Sequence, residues 1–164
     1  MKKLLPLFLL ILLSGCSSQP DPTLIDLKLA ASSNLNPDQV GRPSPMVVKL
    51  IELNAATTFE NAGFFQLYNS ASSTLGPDLV AEEEIIMRPG ETKDLKLRIN
   101  DGSKYIGVIG AYQQLDDSQW KFLHTVEIED RQSVELAITK SSILRVKYVK
   151  SQKNKPTTPS TDNE

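Results

Sequence analysis

Three sets of side chains in this sequence could do chemistry. They are Cys16, the one thiol, His124, the one imidazole, and the run Glu82-Glu83-Glu84. A thiol can act as a nucleophile or carry a covalent group, an imidazole can move protons near neutral pH, and converging carboxylates can share acid–base work. Their surroundings argue against all three as catalysts. One cysteine cannot close an intramolecular disulfide, and one cysteine with one histidine cannot furnish a tetrahedral zinc site. His124 sits between Leu123 and Thr125 in a strand-like run, where a histidine is packed or solvated far more often than it is catalytic. Three consecutive carboxylates cannot converge on one point of a regular element, so they read as a solvated face. Tyr112 and Trp120 could stack a sugar, but such residues more often fill a core or cover its edge. There is no G-x-S-x-G and no Gly-rich phosphate loop. The residues therefore point to a protein that is not an enzyme, with no metal, no cofactor and no small-molecule substrate. The formal net charge is −2 and the pI about 5.5, so no basic field draws nucleic acid.

Cys16 needs a different explanation. Lys2 and Lys3 form a positive n-region, and Leu4 to Leu13 form an apolar run broken only by Pro6. Ser14 and Gly15 are small, as cleavage by a signal peptidase requires. An apolar run of about ten residues is half of the roughly twenty needed to span a bilayer. Residues 1–15 therefore read as a removed export signal. Leu13-Ser14-Gly15-Cys16 resembles a bacterial lipobox, in which the cysteine receives lipid and becomes the first residue after cleavage. Each buried methylene contributes about 0.8 kcal/mol, so several acyl chains on one residue anchor a protein where a single chain would not. The residue after the cysteine is Ser17 rather than Asp, and by the same resemblance this favours the outer membrane, facing the periplasm.

The elements behind these residues are mostly strands. With 40% apolar and 23% charged residues, the chain can build an ordinary hydrophobic core. Period-two alternation marks Ile25, Leu27 and Leu29, then Leu95, Leu97 and Ile99, then Val134, Leu136 and Ile138, then Leu144, Val146 and Tyr148. Residues 46–53, MVVKLIEL, are apolar on nearly both faces, as in a central strand. Residues 104–112 are apolar throughout, and their glycines predict close approach of another backbone. Residues 120–129 continue the series, and short polar turns link the runs. This spacing predicts an all-β body, a two-layer antiparallel β-sandwich, over 23–150. One interruption, residues 57–70, opens with Thr57 and Glu60 at capping-box spacing and predicts a short helical insertion with an aromatic face on the sandwich. Residues 76–91 predict a further helical turn ending at Pro89-Gly90. Residues 16–22 read as a short lipidated tether reaching about 20 Å, and residues 151–164, polar and Pro/Thr-rich, read as a disordered tail.

One connection stands out. Residues 33–44 join the first two strands through a run rich in Asn, Asp, Pro and Gly, long for a small sandwich. Long loops of this kind are functional or disordered, and Pro43 and Pro45 argue for stiffness. This run, followed by FENAGFFQLY, LGPDLV, MRPGE, YIGVIGAYQQLD and Trp120, resembles the outer-membrane lipoprotein of the type VI secretion system, the TssJ (VasD-like) family. The resemblance runs in order from Cys16 to about Val149. It implies a transthyretin-like fold and a structural role in the envelope-spanning membrane complex. It also implies a partner, the periplasmic C-terminal domain of the large inner-membrane component. The residues it assigns to that contact are Asn34, Leu35, Asn36, Pro37, Asp38, Gln39, Val40, Gly41, Arg42 and Pro43. Gln113 departs from the basic residue expected there, which puts in doubt any contact needing that charge. The alternative reading is a periplasmic ligand-binding or inhibitor lipoprotein on the same body, which would expect a concave apolar pocket.

Overall fold

The computed structural model describes residues 22–146. Cys16 and the stretches read from the sequence as an export signal, a tether and a tail lie wholly or almost wholly outside the described residues. Two four-stranded sheets face each other. The first has the order β4-β1-β7-β8 and the second β3-β2-β5-β6. The strands are β1 (Leu24–Ala31), β2 (Met46–Leu53), β3 (Leu79–Met87), β4 (Thr92–Arg98), β5 (Tyr105–Gly110), β6 (Lys121–Thr125), β7 (Arg131–Ile138) and β8 (Ile143–Arg145). Ladders are antiparallel except between β1 and β7, which run parallel, with Leu27 opposite Val134. The expected antiparallel sandwich thus carries one parallel pair.

The alternation in β1 turns Ile25, Leu27 and Leu29 inward against Val48, Leu50, Ile106 and Val108 of the other sheet. Removing such side chains from water stabilises the fold by about 1.5–3 kcal/mol each. As expected of a central strand, β2 is buried on both faces. Val48 and Leu50 enter the core between the sheets, while Ile51 and Leu53 enter a second cluster on the outer face. That cluster is roofed by two helices, α1 (Thr57–Asn61) and α2 (Phe64–Leu75). Phe59 of α1 lies so close over Gly107 that a Cβ there would sit 2.6 Å from its ring. Close approach at this glycine was expected, but the neighbour is a ring rather than a backbone.

The helical insertion differs from expectation in detail. Helix α1 begins after Ala56, which leaves Thr57 inside the first turn, and no side chain caps its start. A capping box needs its hydroxyl on the N-cap residue itself, so the Thr57–Glu60 pair does not form one. Lys121 secures the other end of α1: its ammonium donates to the carbonyls of Phe59 (3.3 Å), Glu60 (2.6 Å) and Ala62 (3.1 Å). Helix α2 is broken at Ser70 (φ −142°, ψ 39°), and the freed Tyr68 carbonyl accepts from buried Lys49 at 2.9 Å. Phe64 stacks on Tyr68 and meets Trp120 edge-on, whereas Phe65 is 67% exposed. Residues 76–78 form the expected helical turn, but Leu79–Met87 is strand β3. Its Glu82 and Glu84 share one face and lie 3.7 and 3.2 Å from Lys49, an arrangement that only an extended chain gives.

Strand directions define two ends. Thr23 enters beside Asn100 and Glu129, its carbonyl accepting from Ile99 N–H and its hydroxyl from Glu129 N–H. Eight residues of β1, about 26 Å of strand, then carry the chain to the far end. There the β1–β2, β3–β4, β5–β6 and β7–β8 connections gather.

Candidate functional site

The β1–β2 connection is a built loop. Its base is buried. Leu35, fully enclosed, joins the core between the sheets. Asn36 is 4% exposed and holds a left-handed backbone (φ 43°), a conformation asparagine tolerates better than most residues. Its side chain bonds both ways. Oδ1 accepts from the Gln113 N–H at 2.8 Å and Nδ2 donates to the Pro45 carbonyl at 3.3 Å. Gln113 Nε2 also donates to the Asn36 carbonyl at 3.5 Å, and Ser44 N–H donates to the Leu35 carbonyl at 3.0 Å. The loop is thus pinned across its base by residues on both sides of it and by the β5–β6 connection.

Above this base the tip is closed by Asp38. Its Oδ1 accepts from the Val40 and Arg42 N–H groups at 3.0 and 2.9 Å, and its Oδ2 accepts from Arg42 Nε at 2.8 Å. The backbone N–H of Arg42 and then its guanidinium hold the Asp38 carboxyl below the usual carboxylate range. Gly41 takes φ 84° to complete the turn, a region L side chains rarely adopt. The result presents Val40, 75% exposed, at the apex. Gln39, Gly41, Arg42 and Pro43 are exposed around it, Asn34 is exposed at the base, and Pro37 and Asp38 are half-buried. The ten residues singled out from the sequence therefore divide. Leu35 and Asn36 face inward and shape the loop, while the others form its surface. Gln113 needs no charge for its part here, because a backbone N–H and an amide do the holding. The β5–β6 contact itself has no signal in the sequence, since its partners are 77 residues apart.

The other candidate residues have structural places. His124, 8% exposed on β6, lies 3.1 Å from Gln132 Oε1, and burial pushes its imidazole down. Tyr112 is buried, its hydroxyl donating to the Thr139 carbonyl at 3.3 Å, and burial pushes its phenol up. Trp120 packs between the two hydrophobic clusters. Among the described residues no group of three or more His, Cys, Asp or Glu side chains could hold a metal ion. The concave apolar pocket of the ligand-binding alternative is not formed between the sheets: the gap bounded by Ile25, Leu27, Phe122 and Val134 is about the size of one water molecule. Among the described residues no helix is long and apolar enough to cross a membrane.

The model of the type VI secretion lipoprotein family (VasD, EvfM, TssJ, VC_A0113) matches residues 23–141. The crystal structure of the lipoprotein TssJ1 from Pseudomonas aeruginosa superposes with a TM-score of 0.75 at 32% identity, covering 76% of this chain and 95% of that one. Serratia marcescens Lip, a membrane-bound component of the type VI secretion system, gives 0.73 at 28% identity over 78% and 99%. A chain of a structure described as the TssM C-terminal domain (869–1107) from EAEC gives 0.62 at 17% identity over 77% and 99%, a likeness of fold alone. No curated protein matches the chain. A lipoprotein family model spanning both sheets and the helical insertion, with two such relatives of the same shape, makes this chain a member of the type VI secretion lipoprotein (TssJ/VasD) family, a family of structural subunits rather than enzymes.

Proposed function

We propose that the chain is anchored through acylated Cys16 to the outer membrane, facing the periplasm. From there its β1–β2 loop captures the periplasmic C-terminal domain of the large inner-membrane component of type VI secretion. The observation that carries this reading is the loop's build and place. It is pinned by Asn36 and Asp38, it lifts Val40 into solvent, and it projects from the end of β1 opposite the chain's entry at Thr23. A rigid loop loses less conformational entropy on docking than a flexible one. A tether at one end and a docking tip at the other suit a bridge between two membranes. Confinement at a membrane surface also raises the local concentration of the tip near its partner.

The test is capture of that periplasmic domain by the chain with residues 33–44 intact or replaced by a Gly/Ser linker. Capture lost on replacement supports the reading, and capture unchanged removes the loop from it. Fractionation of Cys16→Ser checks the anchor: the variant is expected in the soluble periplasmic fraction, and its retention in the outer membrane contradicts lipidation at this residue.

A further inference from the structure

The β1–β2 loop does not stand alone at the far end. A groove opens beside it, lined by Asn34, Pro37, Gln39 and Gly41 of the loop, Gln114 of the β5–β6 connection and Lys140 of the β7–β8 turn. Three segments distant in sequence meet there, and their supports are fixed. Gln113, next to Gln114, is bonded to Asn36. In the turn bearing Lys140, Thr139 N–H donates to the Ser142 carbonyl at 2.8 Å and Ser142 N–H donates to Thr139 Oγ1 at 3.1 Å. The Tyr112 hydroxyl ties the Thr139 carbonyl to the core.

The charge in this groove is one-sided. Asp38 also lines it, but both its carboxylate oxygens are occupied by Arg42 and the tip amides. Lys140 is exposed, and its ammonium meets no carboxylate among the described residues. The remaining polar side chains of the wall are neutral amides. One uncompensated cation, ringed by amide donors and held on a rigid turn, suits a carboxylate. We propose that this groove is the part of the docking surface that receives an acidic side chain of the partner domain, with Lys140 selecting for that charge. The proposal rests on the β1–β2 loop being the docking site, and extends that site to the β5–β6 and β7–β8 connections.

The test measures binding of the periplasmic C-terminal domain of the inner-membrane component to the full mature chain carrying Cys16→Ser. Binding is followed by calorimetry over a series of ionic strengths, for the parent, Lys140→Gln, Lys140→Glu and the Gly/Ser loop replacement. Lys140→Glu should weaken binding by about tenfold or more, because it sets like charges against each other, and Lys140→Gln by less. Both should flatten the salt dependence. The side chain is exposed, so circular dichroism and Tm should stay at parent values, and Lys140→Gln carries the test if the reversal does not fold. Equal affinity of parent and both Lys140 variants, with the loop replacement still abolishing binding, overturns the groove assignment alone. Absence of binding by the parent overturns the loop reading and this one together. If neutralising Asp162 and Glu164 of the same chain cancels the Lys140 effect, the groove is filled from within the chain and the proposal also falls.

Discussion

Asn36 does the most for the candidate site and is the least conspicuous residue in it. Its amide satisfies a β5–β6 backbone N–H and the Pro45 carbonyl while its own backbone is left-handed. Asn36→Ala removes the amide and keeps the strained φ, so it should destabilise the fold by about 1–3 kcal/mol, seen as a lower Tm. Hydrogen exchange at residues 37–43 should speed up in the same variant. Val40→Asp makes the opposite prediction: parent Tm, weaker capture of the periplasmic domain, because the apex touches solvent and little else. His124 sets a pH dependence. Burial lowers its folded pKa below the ordinary 6.5, so the unfolded chain binds the proton first as pH falls. Stability contributed by the neutral imidazole is complete above the unfolded pKa and is lost as pH drops below it. Denaturant midpoints should therefore fall between pH 7.5 and pH 5.5, and His124→Gln should reduce that fall. The loop's existence was legible in its length and prolines. The burial of Asn36 was not, because its amide is held by Gln113, 77 residues away, and neither composition nor spacing announces that contact.

Among the elements, the inner faces of β1, β4 and β7 were readable, whereas in the last run Leu144 and Val146 are exposed and Ile143 is the residue that enters the core; Tyr148 lies outside the described residues. The other exceptions have physical causes. Strand β3 was hidden by Glu82-Glu83-Glu84. In a strand these alternate, two toward Lys49 and one to the other face, but a run of acids masks period two. The break after α1 and the kink inside α2 were hidden because their supports are remote: Lys121 holds the end of α1, and Lys49 takes the Tyr68 carbonyl at the kink in α2. Lys121→Met should leave three carbonyls without their donor and loosen the insertion, costing about 1–3 kcal/mol by chemical denaturation. The glycines of β5 were legible as sites of close approach, and Gly107 tests how tightly α1 sits. Gly107→Ala pushes a methyl into Phe59 and should cost about 1–3 kcal/mol. Adding Phe59→Leu should recover part of that loss, since the two residues share one contact.

For the whole molecule, the parallel pairing of β1 with β7 joins the first described strand to the last but one. Period-two patterns say which face of a strand is apolar but not which strand lies beside it, so this pair was invisible in the sequence. Pairing across most of the chain makes folding slow for the size, in the millisecond-to-second range, and Trp120 between the two clusters is a natural fluorescent reporter of it. The course of β1 decides how the body meets a mechanical pull. Strand β1 is flanked on one side by β4 and on the other by β7 along its length. Tension entering ahead of Thr23 and leaving through the loop runs along that strand. Because both ends of that path lie on one strand, the load passes through its covalent backbone and the ladders on either side need not slip. Such a pull would strain whatever holds the two ends before it opened the sandwich.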